Sequence, residues 1–197
     1  MTKAQANGVA KIMLDRRAEA LLKYCKRSNK QMLGNEVGVD CKMKAEKSYL
    51  EDFKVGYKAV SPGRTVTESD IVMFASLSGD WNELHTNAEY MKDSPFGQRI
   101  AHGMLTLSIA SALGMRTAGR PPVEVLAFLG MDKVKFVAPV FIGDTIRVES
   151  EVIEVRPSKS MPGAGILKSK NTVKNQRDED VATWETAVMV SMRPKGR

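Results

Sequence analysis

Gly103-Met104-Leu105-Thr106-Leu107-Ser108-Ile109-Ala110-Ser111-Ala112-Leu113-Gly114-Met115 reads as a helix whose apolar residues point in nearly every direction. A helix apolar all round must be buried on all sides. Only Thr106, Ser108 and Ser111 break the pattern, and small hydroxyls can bond their own helix backbone. Beyond Met115 the period shortens to that of strands. Ile146, Val148, Ser150 and Val152 alternate with Arg147, Glu149 and Glu151, as in a half-buried strand. A second strand is expected over 166–174. A third follows over 181–190, where apolar side chains fall on both faces, and the polar run 175–180 forms the turn between these two. Shorter strands are expected over 123–129 and 133–137. About five strands after one buried helix give an α+β protein with an antiparallel sheet, and a sheet curled around a central apolar helix satisfies both patterns.

Upstream, Tyr57 to Val66 contains Ser61-Pro62-Gly63 and is at best an interrupted or edge strand. Thr67 followed by Asp70 resembles a capping box with Asp in place of Glu. It predicts a helix with Ile71, Phe74, Ala75 and Leu77 on one apolar face, ending at Ser78-Gly79. A polar run through Asp80 and Asn82 to His85 then follows on a loop.

The 197 residues suffice for one domain with a sizeable core, and 43% apolar with 27% charged residues is ordinary for a soluble protein. No apolar run is long enough to span a membrane, and the opening residues lack the apolar core of a secretory signal. Two cysteines, Cys25 and Cys41, have neither zinc-ligand spacing nor a disulfide framework, so reduced thiols and a cytoplasmic location are expected. The net charge of +7 is concentrated in residues 1–49, which carry +6 of it. The near-neutral remainder argues against nucleic acid as a partner. Residues 9–26 read as an amphipathic helix on Leu14, Ala18, Leu21 and Cys25, and 27–48 as a linker. That helix would pack on the body or a partner, direct targeting, or lie on a membrane surface. Asp15 and Glu19 count against a transit peptide, and packing is the favoured reading. Residues 1–49 are thus expected to form a basic extension and 50–197 the folded domain.

The chain's only two histidines, His85 and His102, both fall in the polar region around Asp80. Three readings stand side by side on spacing alone. One is a polar loop with satisfied histidines. Another is a metal site of Asp80, His85 and His102. The last is acid–base catalysis by an Asp/His pair.

The run Phe74-Ala-Ser-Leu-Ser-Gly-Asp-Trp-Asn-Glu-Leu-His85, followed by Phe96-Gly-Gln-Arg-Ile-Ala-His-Gly103, resembles the MaoC-like dehydratases. These are the (R)-specific enoyl-CoA hydratases and their relatives. The segments Ser61–Glu68 and Phe136–Val148 are similar to that family as well, so the resemblance covers roughly residues 50–194. It implies a hot dog fold and the hydration of 2-enoyl thioesters or dehydration of 3-hydroxyacyl thioesters. Asp80 and His85 match the pair that activates water, and Gly103 the residue whose backbone N–H bonds the thioester carbonyl. Glycine permits close approach of a ligand, and the first N–H groups of a helix are unpaired. Asn82 matches a position that orients the pair, Ser111 would bond Asp80 or line an acyl tunnel, and Ser78 and His102 would support the loop. With an N–H hole present no metal is expected, and no cofactor beyond the CoA of the substrate.

Three positions depart from the family pattern: Glu83 and Arg99 where proline is common, and Asn87 where aspartate is. None removes a catalytic atom, but Arg99 becomes a candidate for a substrate phosphate or second carboxylate, with Lys92, Lys133 and Lys135 as further phosphate partners. The substrate carrier would be CoA or acyl carrier protein. A homodimer or larger homo-oligomer is implied, because single hot dog units pair their sheet edges and an uncovered edge is a liability. A hot dog thioesterase and a non-catalytic acyl-CoA-binding subunit are the rival functions.

Overall fold

Four long antiparallel strands set the frame: β3 (Val125–Phe136), β4 (Thr145–Pro157), β5 (Ala164–Lys174) and β6 (Asp180–Ser191). The computed structural model describes residues 47–116 and 123–194. The helix expected over 9–26, Cys25, Cys41 and nearly all of the 27–48 linker lie outside the described residues. Two short strands, β1 (Lys58–Val60) and β2 (Arg64–Thr65), both pair with β4, giving the order β1-β4-β5-β6-β3 with β2 also on β4. The break at Ser61-Pro62-Gly63 separates them, as expected of an edge segment that cannot donate at proline. The two strands expected over 123–129 and 133–137 are one. β3 runs through, with register shifts between Val125 and Ala127, Phe128 and Gly130, and Asp132 and Lys135. Bulges of this kind bend a strand while keeping it in the sheet, which is why its alternation looked broken.

Helix α1 (Glu68–Ser78) starts at the Thr67 cap, where the Asp70 carboxylate accepts from the Thr67 backbone N–H at 2.8 Å. Ile71 and Ala75 are its buried residues and Phe74 is partly buried, but Leu77 is 85% exposed. Leu77 sits six residues after Ile71, well off the stripe that recurs every three or four positions. Two short helices follow, α2 (Glu83–Thr86) and α3 (Ala88–Lys92), and then α4 (Gly103–Gly114). The His85 region is therefore not all loop, because Asn82 caps a helical turn that carries the histidine.

The core forms between α4 and the inner face of the sheet. Leu105, Leu107, Ile109, Ala110 and Leu113 meet Ile146 and Val148 of β4, Val173 of β5, and Val181, Ala182 and Trp184 of β6. Burying each large side chain stabilises the fold by about 1.5–3 kcal/mol. α4 is not buried all round in this chain. Met104 (56% exposed), Ser108, Ala112 and Met115 form an exposed stripe, while Thr106 and Ser108 donate to the backbone of their own helix at 3.2 and 2.7 Å. A second cluster joins Leu50 and Phe53 to Val152, Leu167 and Val190. The result is α+β, a hot dog fold with one antiparallel sheet wrapped on a central helix. Among the described residues no helix is long and apolar enough to cross a membrane.

Candidate active site

α1 ends at Gly79, whose φ of 77° is the left-handed conformation that glycine adopts freely. The chain turns there and releases Asp80. Three short-range bonds hold the turn. Ser78 Oγ donates to Phe74 O at 2.7 Å and accepts from Asp80 N–H at 3.2 Å, and Asn82 N–H donates to Asp80 Oδ1 at 3.3 Å. Asn82 Oδ1 in turn accepts from Leu84 N–H at 3.0 Å, capping α2. Asn82 thus orients the Asp80 carboxylate with its backbone and the His85 helix with its side chain.

His85 is 8% exposed, and its Nδ1 lies 2.8 Å from the carbonyl oxygen of Ile100. A carbonyl only accepts, so Nδ1 carries the hydrogen, and in the neutral ring Nε2 is left with its lone pair. Nε2 faces Asp80 Oδ2 at 4.0 Å, too far for a direct hydrogen bond. The Asp80 side chain is half exposed, so this pair of acceptors opens outward.

His102 is 2% exposed and stacks on His85 with ring centroids 3.7 Å apart and planes inclined by 29°. Phe74 lies against it at 4.9 Å. Its Nε2 meets the Asp80 carbonyl oxygen at 3.0 Å, so the imidazole donates there and ties the Asp80 turn to the start of α4. Nδ1 of His102 is buried without a hydrogen-bond partner. Ligand atoms of Asp80, His85 and His102 lie within 4.8 Å of one another, which is metal-site spacing. Stacked imidazoles direct their in-plane lone pairs side by side, however, and two of the four ring nitrogens already face carbonyls. The trio is poorly arranged as a ligand set.

Gly103 is the first residue of α4, with an N–H that a helix leaves unpaired. A Cβ there would meet the Phe136 ring at 3.1 Å, so a second reason for glycine is the close packing of that ring. His85, Ile100, Gly103, Thr106, Phe136 and Val140 line a cavity of about 390 Å³. Ser111 stands eight residues further along α4, about 12 Å at the helix rise. It lines a second cavity of about 450 Å³ with Phe128, Leu167, Asn171, Trp184 and Val188. Of the two roles expected for Ser111, lining a chamber is the one its position suits.

Arg99 donates through both terminal nitrogens to the Glu68 carboxylate, at 2.8 and 2.6 Å. This bond and the neighbouring charge hold the Glu68 carboxyl below its usual range. Lys92 and Lys133 are likewise paired, with Glu89 at 2.5 Å and Glu185 at 2.8 Å. Sequence reasoning missed Ile100, Phe74 and Phe136. Ile100 acts through its carbonyl, which no residue pattern reveals, and the aromatic pair reads as ordinary core in sequence.

The profile of the MaoC like domain matches residues 53–175. The (R)-specific enoyl-CoA hydratase of Rhodospirillum rubrum is 43% identical over 112 residues, 56% of this chain and 74% of that protein. Protein MaoC of Klebsiella aerogenes is 35% identical over 140 residues, 70% of this chain; the match spans only 36% of that longer protein. The crystal structure of a MaoC-like dehydratase from Rhodospirillum rubrum superposes with a TM-score of 0.65 at 29% identity, covering 75% of this chain and 99% of that one.

Proposed function

The chain belongs to the MaoC-like domain family, and from that premise we propose that it hydrates 2-enoyl thioesters and, in reverse, dehydrates 3-hydroxyacyl thioesters. The observation that carries this is the His85 arrangement. Its Nδ1 is committed to Ile100, and its Nε2 shares with Asp80 Oδ2 a gap of 4.0 Å beside the cavity at Gly103. One water bonded to both acceptors fits that gap. Its oxygen would bond to C3 of the enoyl group while its proton passes to the pair, and the pair returns a proton to C2. One water is thereby added across the double bond. The Gly103 N–H would meet the thioester oxygen as charge moves onto it, a contribution of roughly 3 kcal/mol where such donors have been removed from other enzymes.

CoA is the proposed carrier, and the second cavity, with its Leu, Val and Phe lining, has the character of a chamber for the acyl chain. We place the protein in the cytoplasm, on the absence of a disulfide framework in the sequence. Homodimerisation is supported by β3, which stands at one edge of the sheet and exposes Leu126, Phe128, Leu129 and Val134.

An assay with crotonyl-CoA tests the reaction. Loss of the enoyl absorbance without release of free thiol is the expected result. Thiol released at the same rate would make the protein a thioesterase, and no change in either signal would leave only binding.

A further inference from the structure

We infer that the Arg99–Glu68 ion pair is a positioning element for the reaction, clamping the segment that fixes His85 onto the helix that delivers Asp80. This rests on the hydratase reading above. Arg99 immediately precedes Ile100, and Ile100 holds the helical turn that carries His85 at two points. Its carbonyl takes the His85 Nδ1 hydrogen at 2.8 Å, and its N–H donates to Leu84 O at 3.1 Å. On its inner side this segment is anchored by the Ile100–Phe141 bridge and by Ala101 N–H on Val140 O at 2.7 Å. On its outer side the anchor is the two-pronged contact of Arg99 with Glu68.

Glu68 is the first residue of α1, and Asp80 follows the last residue of that helix by two. An α-helix transmits displacement of one end to the other with little loss. The pair therefore couples the acceptor that sets the His85 tautomer to the element that sets the Asp80 carboxylate. An isolated surface pair contributes little to stability. This one is bidentate, with the Arg99 side chain 23% exposed, so what it supplies is geometry. Both terminal nitrogens of Arg99 are engaged, and binding a substrate phosphate would require giving up part of that contact.

The test uses the full chain and the variants Arg99→Gln, Arg99→Lys, Glu68→Gln and the exchange Arg99→Glu with Glu68→Arg. Each is assayed on crotonyl-CoA and on crotonyl-pantetheine, which lacks the nucleotide phosphates. The imidazole nitrogens are read separately by two-bond ¹⁵N–¹H correlation, which is easily assigned because the chain has only two histidines. Arg99→Gln and Glu68→Gln should each lower kcat by roughly tenfold with little change in KM, on both substrates, since misplacement by about 1 Å costs up to ~10²-fold. The His85 signals should move from a single Nδ1–H tautomer toward a mixture. Arg99→Lys should recover part of the rate, and the exchange most of it.

A rise in KM confined to the CoA thioester, with Glu68→Gln unaffected, would make Arg99 a phosphate ligand and overturn the inference. An unchanged kcat and an unchanged His85 spectrum would overturn it equally. A wild-type protein without hydratase activity would instead sink the proposed reaction, and the imidazole spectra would still decide whether the clamp exists.

Discussion

His85 and His102 lie ring on ring, 3.7 Å between centroids, and only the outer ring faces Asp80 with a free nitrogen. The inner ring is walled in by Phe74 and spends its one satisfied nitrogen on the Asp80 carbonyl. The two histidines of the chain are thus unequal by construction. In the proposed reaction, replacing the outer one touches the chemistry and replacing the inner one touches the frame.

Asp80→Asn and His85→Gln should each lower kcat on crotonyl-CoA by roughly 10²–10⁴-fold, the range general acid–base groups contribute. Asp80 is exposed, so Asp80→Asn should leave the thermal midpoint near that of the parent. Circular dichroism and the assay are run on the same preparation. Retention of full turnover in both variants would make the pair structural.

His102→Phe keeps the stack and deletes the donor to the Asp80 carbonyl. The lost bond costs about 1 kcal/mol. The same change removes a buried nitrogen that has no partner, which offsets part of that cost. Urea midpoints should therefore fall only slightly, while kcat falls because the Asp80 turn is no longer tied to α4. A large stability loss with kcat preserved would reverse this assignment.

Gly103→Ala opposes two effects of known size. Alanine favours the helix by about 1 kcal/mol over glycine in an interior position, and less at a first position. Its methyl would press on the Phe136 ring at 3.1 Å, but that ring is half exposed and can give way. Stability should therefore change little. kcat/KM should fall, because the ring moves into the cavity that both residues line. Combining it with Phe136→Leu should restore activity, and failure of that rescue would mean that the methyl blocks the substrate directly.

Acid should loosen α1 in a defined direction. Burial pushes the Asp70 carboxyl up, but hydrogen bonds from the Thr67 backbone and side chain and from Arg64 outweigh it and hold the carboxyl below its usual value. A carboxyl lowered in the folded state stabilises the protein above its unfolded pKa, and that contribution is lost as pH falls through the folded one. Between about pH 5 and pH 2 the thermal midpoint of the parent should drop more steeply than that of Asp70→Asn. Parallel curves would show that the cap does not depend on the charge.

Much of this was readable from the residues. The Thr67–Asp70 cap, the interrupted edge strand at Ser61-Pro62-Gly63 and the turn before β6 are local, and local chemistry specifies them. The motif from Asp80 to Gly103 brought the expected side chains close together, through local bonds at the Asp80 turn and one longer tie from His102 to the Asp80 carbonyl. What stayed hidden depends on the third dimension. β3 looked like two strands because its bulges shift the alternation at Val125, Phe128 and Asp132. The exposed stripe of α4 was unreadable because Met104 and Ala112 are as apolar as the buried face. Arg99 looked available to a substrate, since nothing in sequence pairs it with a residue thirty-one positions away.

Ser111 tests the proposed acyl chamber apart from the proposed site of reaction. It lines the second cavity, while Gly103, eight residues earlier on α4 and about 12 Å away along the helix, lines the first. Ser111→Phe would fill much of the space between α4 and the wall built by Leu167, Asn171 and Trp184. Crotonyl-CoA has too short a chain to need that room, so its kcat/KM should be nearly unchanged. An eight-carbon enoyl-CoA should lose roughly tenfold or more, since each excluded methylene forfeits about 0.8 kcal/mol. Equal losses on both substrates would mean that the bulk disturbs α4 itself. Equal retention on both would place the acyl chain elsewhere.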